Sequence, residues 1–118
     1  MKPIKIREWD FGGGVRTPGW IYFGYIDGRW QGTVFATPHK SQGQYTLYNS
    51  KKGTEVYEGD IVSLKNRPDL HCLVYFEEMD FSYRLAVRGD KQIDKTRALR
   101  FMDEVIGNIY ENSELLES

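Results

Sequence analysis

Sulfur and soft metal ligands are scarce in this sequence of 118 residues, which has a single cysteine. One cysteine cannot form an internal disulfide bond. A structural zinc site needs about four ligands, and the chain offers only Cys72, His39 and His71, without the spacing of such a site. We therefore expect no disulfide, no bound metal and no other cofactor, as is typical of an intracellular protein.

Long apolar runs and an excess of one charge are also missing. No run of 18 apolar residues exists, and residues 1–7 lack the apolar core of a signal peptide. The 16 basic and 17 acidic residues nearly cancel, leaving a net charge of −1, which disfavours a diffuse nucleic-acid footprint. We expect one soluble domain over residues 1–118, in the cytoplasm and without membrane contact.

What the chain does contain is aromatic residues, at 14% of the total, together with 12 glycines. This composition suits half-buried strands and tight turns, so it predicts a mainly β fold. Asp27-Gly28 between two apolar runs predicts a hairpin of residues 20–26 with 29–35, and a second hairpin is expected from 45–48 and 55–57. Further strands are expected at the following positions: 61–64, 70–76, 81–87 and 105–110. Their spacing is typical of a small barrel or sandwich.

Three local features refine this prediction. The apolar parity of residues 4–11 changes after Ile6, which predicts a bulge or bend near Glu8. Residues 91–102 have a loosely helical pattern, and Ser113 before Glu-Leu-Leu-Glu predicts a short, N-capped helical segment at the C-terminus.

Two glycine motifs predict structural corners. In the segment Tyr57-Glu58-Gly59-Asp60, the glycine permits positive φ and the aspartate can accept backbone N–H bonds across the turn. Asp60 could also be imagined as a general base, but no nucleophile or acid partner is evident beside it. Gly107-Asn108 predicts a kink or a close backbone approach inside a strand rather than a ligand loop.

His71 and Cys72 are adjacent, so on a strand their side chains point to opposite faces and cannot form a nucleophile and base pair. Cys72 shares its face with Leu70, Val74 and Phe76, which predicts a buried, unreactive thiol. We find no catalytic constellation and expect no enzymatic activity.

Two groups of residues are candidates for binding. Exposed aromatic side chains beside arginine would suit capture of a peptide or stacking on bases, and the alternative is that they fill the hairpin or a subunit interface. This group comprises Trp20, Trp30, Tyr22 and Arg29. The second is a basic stretch that could hold phosphates or could be an ordinary solvated surface. It comprises Arg84, Arg88, Lys91, Lys95, Arg97 and Arg100.

Three blocks of the sequence, residues 4–10, 44–62 and 104–116, together resemble the YopX protein family. The resemblance implies a small protein of temperate phages and prophages with an SH3-like β-barrel and no established activity. Two positions depart from the family pattern. Leu47 follows Thr46 where relatives usually carry glycine, and Ser113 replaces a common proline.

These observations lead to one principal hypothesis, one alternative, and a third hypothesis of hydrolysis or nucleotide sequestration in a cleft lined by Asp60 and Glu58. The principal hypothesis is a non-enzymatic phage accessory protein that binds a macromolecular partner, a protein or a second copy of itself, in the bacterial host cell. The alternative is a small barrel that binds single-stranded nucleic acid through the aromatic hairpin and the basic stretch.

Overall fold

A computed structural model describes residues 4–15, 17–26, 29–31, 42–92 and 96–117. These residues form ten strands and two short 3-10 turns, at Leu99–Phe101 and Ser113–Leu116. The strands are β1 (Ile4–Asp10), β2 (Gly19–Ile26), β3 (Arg29–Gln31), β4 (Gln42–Asn49), β5 (Glu55–Tyr57), β6 (Asp60–Leu64), β7 (His71–Glu77), β8 (Ser82–Val87), β9 (Thr96–Ala98) and β10 (Met102–Asn108). The prediction of a mainly β fold is confirmed.

The first sheet has the strand order β3-β2-β1-β4-β5, and its ladders are antiparallel. Strand β1 pairs with β2 in one unbroken register from Ile4 to Asp10, so the predicted bulge near Glu8 is wrong. The change of apolar parity has another cause: both faces of β1 are covered. Ile6 is half-buried on one face, while Arg7 and Trp9 are buried on the other.

Both predicted hairpins are present in this sheet. Strand β2 pairs with β3, although the turn at residues 27–28 and the rest of the second run, 32–35, lie outside the described residues. Strand β4 pairs with β5, with a shift of register between Tyr45 and Asn49. Leu47 lies inside that irregularity with a φ of 68°, a left-handed conformation that branched side chains rarely adopt.

The second sheet has the order β10-β6-β7-β8-β9, so its edge strands are the two that follow each other in the chain. From Ala98 to Met102 the chain can reach about 14 Å at most. The edges of a flat five-stranded sheet lie about 19 Å apart, so this sheet must curl. It stops short of a closed barrel because, within the described residues, a 3-10 turn joins β9 to β10 and no ladder pairs them. The sequence predicts a small SH3-like barrel, and within the described residues a closed barrel is not found.

The helical expectations are also corrected. Residues 96–101 form strand β9 and a 3-10 turn, because Thr96 is buried in a ladder with Ala86. The C-terminal segment is a 3-10 turn preceded by Asn112, without a side-chain cap. In the part of the chain that the structure describes, no helix has the length and apolar character needed to cross a membrane.

The main core lies inside the curl of the second sheet. Its buried members are Val56, Val62, Leu64, Cys72, Val74, Leu85 and Met102. The opposite face of this sheet carries a smaller cluster of Leu73, Tyr75 and Ala86, against which Ile109 and Leu116 pack. The C-terminal turn thus covers the back of β7, and it is held there by a contact of 2.9 Å between His71 Nδ1 and the Leu115 carbonyl oxygen.

Candidate functional site

A buried ion pair joins the two sheets. Arg7 on β1 donates through Nη2 to Asp60 Oδ1 at the start of β6, a partner 53 residues further along the chain. The side chains are only 8% and 2% exposed. Arg7 reaches this position because strand alternation places it on the same face of β1 as Trp9, toward the second sheet. The Arg7–Asp60 pair is therefore a contact of the interior, closed to solvent.

Aromatic rings enclose the guanidinium of this pair. The Arg7 Cζ atom lies 3.7 Å from the centroid of the Trp20 ring and 4.4 Å from that of Tyr57. Its Nε is buried without a hydrogen-bond partner in the described structure. Stacking of a planar cation on two ring faces compensates part of the lost hydration.

The turn at Gly59 holds the acid of the pair. Gly59 has a φ of 88°, and the Tyr57 N–H donates to Asp60 Oδ2 at 2.8 Å. The Gly59 N–H donates to the Val74 carbonyl at 2.9 Å, and its own carbonyl accepts from the Ile109 N–H at 2.8 Å. The motif of residues 57–60 is thus a corner that ties β5, β7 and the segment after β10 together.

The pair belongs to a larger aromatic cluster, defined as Trp9, Phe11, Trp20, Tyr22, Tyr45, Tyr57 and Tyr110. Most of its contacts are edge-to-face, as between Trp9 and Trp20, whose centroids lie 5.0 Å apart. Tyr110, from the segment after β10, contacts Trp20 at 5.9 Å. The cluster is the packing interface between the first sheet and the chain that follows β10.

Burial raises the pKa of several groups in this interface. Desolvation raises the pKa of the Asp60 carboxyl, against the opposing effects of the Arg7 charge and the Tyr57 amide. Burial, with the charge of Glu55, also raises the pKa of Tyr57, and burial raises that of Tyr110. A general base must reach the proton it removes. The Asp60 carboxylate is 2% exposed and is already paired with Arg7.

Gly107 and Asn108 shape the other side of this interface. A Cβ atom on Gly107 would lie 2.7 Å from Asn112 Oδ1, so the group that closely approaches this glycine is the Asn112 side chain. Asn108 Oδ1 accepts from the N–H groups of Tyr110 and Glu111, at 3.0 and 2.9 Å. These bonds close the turn that carries the Tyr110 ring into the aromatic cluster.

The predicted partner-binding residues divide into buried and exposed members. Trp20 is half-buried, with the Arg7 guanidinium over its ring and the Tyr110 ring at about a right angle to it. Tyr22 is 53% exposed, with its ring edge-on to Tyr57, and Arg29 is exposed. The side chain of Trp30 lies outside the described part of the structure.

The described members of the predicted basic stretch have separate surroundings. Arg84 pairs with Asp80 at 3.1 Å and donates to Thr96 at 2.9 Å. Lys91 lies 5.1 Å from the Tyr75 ring centroid, and Arg88 is an exposed turn residue. Lys95 lies outside the described residues.

Arg97 and Arg100 instead share a location with two basic residues that the sequence reading missed. Lys65 and Arg67 follow β6, and they lie around Phe101 together with Arg97. No local pattern marks this group, because Lys65 and Arg67 are separated from Arg97 and Arg100 by at least 30 positions in the chain. The pairing of Leu64 with Met102 brings them together.

Cys72 is fully buried, and burial raises the pKa of its thiol to about 11. His71 lies on the other face of β7, bound to Leu115. Among the described residues, no group of three or more histidine, cysteine or acidic side chains is arranged to hold a metal ion.

The fold and this interface define a small antiparallel β protein whose two sheets are joined by a buried cation, an acid and an aromatic cluster. The sequence pattern of the YopX protein family matches residues 23–117, so the chain belongs to the YopX protein family. Tyr57, Asp60 and Tyr110 lie within the matched range, whereas Arg7 and Trp20 precede it. No curated protein matches the chain.

Proposed function

We propose that this YopX family member is a non-enzymatic accessory protein of phages and prophages, which acts in the bacterial cytoplasm by binding a protein partner and by self-association. The observation that carries the proposal is that Tyr22 is exposed to solvent while its ring packs on a buried aromatic ring. Its ring is half exposed, and the ring beneath it, Tyr57, is buried against the Arg7 guanidinium.

The surface around Tyr22 has the chemistry of a protein interface. Strand alternation along β2 and its register with β3 place Arg29 on the same face of the sheet as Tyr22. We call Tyr22 and Arg29 the Tyr22 surface. Tyrosine and arginine are enriched among residues that dominate binding energy, and a side chain held in place before binding loses less entropy.

The buried groups support the non-enzymatic part of the proposal. Arg7 and Asp60 are the described ion pair most sheltered from solvent, and each is held by the other. Chemistry there would require the two sheets to separate. Cys72, the single thiol, is enclosed by the main core.

Self-association is tested by sedimentation velocity over a range of protein concentrations. We expect the wild type to form an oligomer whose formation depends only mildly on salt, because apolar contacts dominate such interfaces. The double variant Tyr22→Ser/Arg29→Glu should remain monomeric. Phe81→Ser is the matched control, since Phe81 is an 82% exposed aromatic residue in the turn before β8, and it should associate like the wild type.

The protein partner is tested with a photoreactive residue at position 22, introduced into the protein in phage-carrying cells. We expect one cross-linked protein, whose purified form binds Tyr22→Ser/Arg29→Glu about 5- to 30-fold more weakly than the wild type. Circular dichroism must show that the variant is folded. Equal binding by the variant, or loss of binding only in Phe81→Ser, would contradict the proposal.

A further inference from the structure

A second feature of the molecule lies away from the aromatic cluster, at the end of β6. An open pocket of about 260 Å³ is lined by Leu64, Lys65, Asn66, Arg67, Arg97 and Phe101. We call it the Phe101 pocket. Its volume is just below the roughly 300–1,000 Å³ of pockets that hold drug-sized ligands, so it suits one planar ring with its substituent outside.

The walls of the Phe101 pocket are fixed by the sheet. Leu64 pairs with Met102 across the β6–β10 ladder, and the Lys65 N–H donates to the Phe101 carbonyl at 3.0 Å. Leu64 and Met102 are themselves buried in the main core. The pocket therefore exists without a ligand, and binding would require little rearrangement of the backbone.

Phe101 provides an aromatic surface. The residue is 41% exposed although phenylalanine is usually buried, and the Arg100 guanidinium lies 5.0 Å from its ring centroid. An exposed ring beside arginine is the platform on which nucleobases stack in proteins that bind single strands.

The charge around this ring is positive. Lys65, Arg67 and Arg97 line the pocket and Arg100 adjoins it, in a chain whose net charge is −1. Asp69 pairs with Arg67 at 3.1 Å, but both side chains are more than 60% exposed, so solvent screens that pair. In the described structure, no ion pair engages the Lys65, Arg97 or Arg100 side chains. Such a cluster concentrates anions, above all phosphate.

We propose that the Phe101 pocket binds a nucleoside phosphate unit, with the base stacked on Phe101 and the phosphate held by Lys65 and Arg97. This unit can come from single-stranded nucleic acid or from a free nucleotide. The proposal is independent of the Tyr22 surface, because it uses different residues.

The test measures binding of a fluorescent ten-nucleotide thymidine strand by anisotropy and of adenosine 5′-monophosphate by calorimetry. Phe101→Leu keeps an apolar side chain but removes the aromatic face, and it should weaken binding about 5- to 150-fold. Lys65→Gln/Arg97→Gln should also weaken it. For the strand, this double variant should reduce the slope of log affinity against log salt by about 1.4, since each phosphate contact contributes about 0.7.

The control variant is Lys91→Gln, which removes an exposed cation outside the pocket and should leave binding unchanged. Strand binding much tighter than mononucleotide binding identifies nucleic acid as the source, and similar affinity per site identifies free nucleotides. Both outcomes support the proposal when Phe101→Leu weakens them. Absence of binding to either probe, or binding that neither pocket variant changes, would overturn it. Tyr22→Ser should bind both probes normally, which separates this result from the test of the proposed function.

Discussion

Removing the cation of the Arg7–Asp60 pair should destabilise the protein in a strongly pH-dependent way. In the wild-type protein the Asp60 side chain is only 2% exposed. Arg7→Met removes its cationic partner and leaves the Tyr57 N–H as its remaining hydrogen-bond donor. Breaking a buried pair by removing one partner costs about 3–5 kcal/mol, because the other charge stays buried. The pH dependence distinguishes this mechanism from a simple loss of packing.

The variant can escape the buried charge by protonating Asp60. At pH 7 this costs about 1.4 kcal/mol for each of the roughly three pH units above the ordinary aspartate pKa, or about 4 kcal/mol in all. Burial raises the pKa of Asp60 in the folded state, so over this pH range the folded state binds more protons than the unfolded state. The free energy of unfolding of Arg7→Met should therefore fall as pH rises from 4 to 7, relative to the wild type.

The assay is urea denaturation followed by tryptophan fluorescence at pH 4.5 and pH 7, since Trp20 contacts the Arg7 guanidinium. Arg7→Met/Asp60→Asn should recover part of the loss at pH 7, because it buries no charge. Lys5→Met is the control: Lys5 pairs with Glu55 at 26% and 35% exposure and should cost less than about 1 kcal/mol. A loss below about 1 kcal/mol for Arg7→Met, equal at both pH values, would refute the reasoning.

Three further predictions concern single positions. Leu47→Gly should stabilise the fold by about 0.5–1 kcal/mol in thermal or urea unfolding, because it relieves a left-handed φ of 68°. A loss of stability would show that the packing of the partly exposed Leu47 side chain outweighs the relief of backbone strain. Gly107→Ala should lower the free energy of unfolding by about 1–3 kcal/mol, because its Cβ would press on Asn112. Gly19→Ala, whose Cβ would have no atom within 4 Å, should be nearly neutral, and equal effects of the two changes in urea unfolding would contradict this. Cys72 should react with a thiol reagent only as fast as the native state opens, and rapid labelling at pH 8 would contradict this. Its raised pKa should contribute to a fall in stability as pH rises from about 8.5 toward 11, and Cys72→Ala should make that fall less steep.

Local signals in the sequence predicted the strands and turns well. The Asp27-Gly28 pair and the apolar runs beside it are enough to predict that β2 pairs with β3, and Gly59 has the positive φ expected from its motif. Within the described residues 96–102, the helical pattern predicted for 91–102 is wrong, because tertiary pairing of Thr96 with Ala86 outweighs a weak apolar period.

Long-range partners were not predictable from such signals. Arg7 is a charged residue near the start of a strand, and nothing nearby shows that Asp60 will neutralise it. The Phe101 pocket likewise depends on distant strands coming together, since the β6–β10 ladder and the curl of the sheet bring Lys65 close to Arg97. A single sequence shows periodicity and turn chemistry, whereas the register between distant strands decides which charges meet.

The placement of β9 and β10 on opposite edges of one sheet has a consequence for the order in which the chain folds during synthesis. Strand β6 can pair with β10 only after the ribosome has made residues 102–108. In the same way, Arg7 cannot form its ion pair until Asp60, 53 residues later, has been made. Contacts between such distant segments form slowly, because closing long loops is entropically unfavourable. The edge of β6 stays open to pairing with other chains until nearly the whole described chain has been made, so this interval is when the protein is most exposed to aggregation.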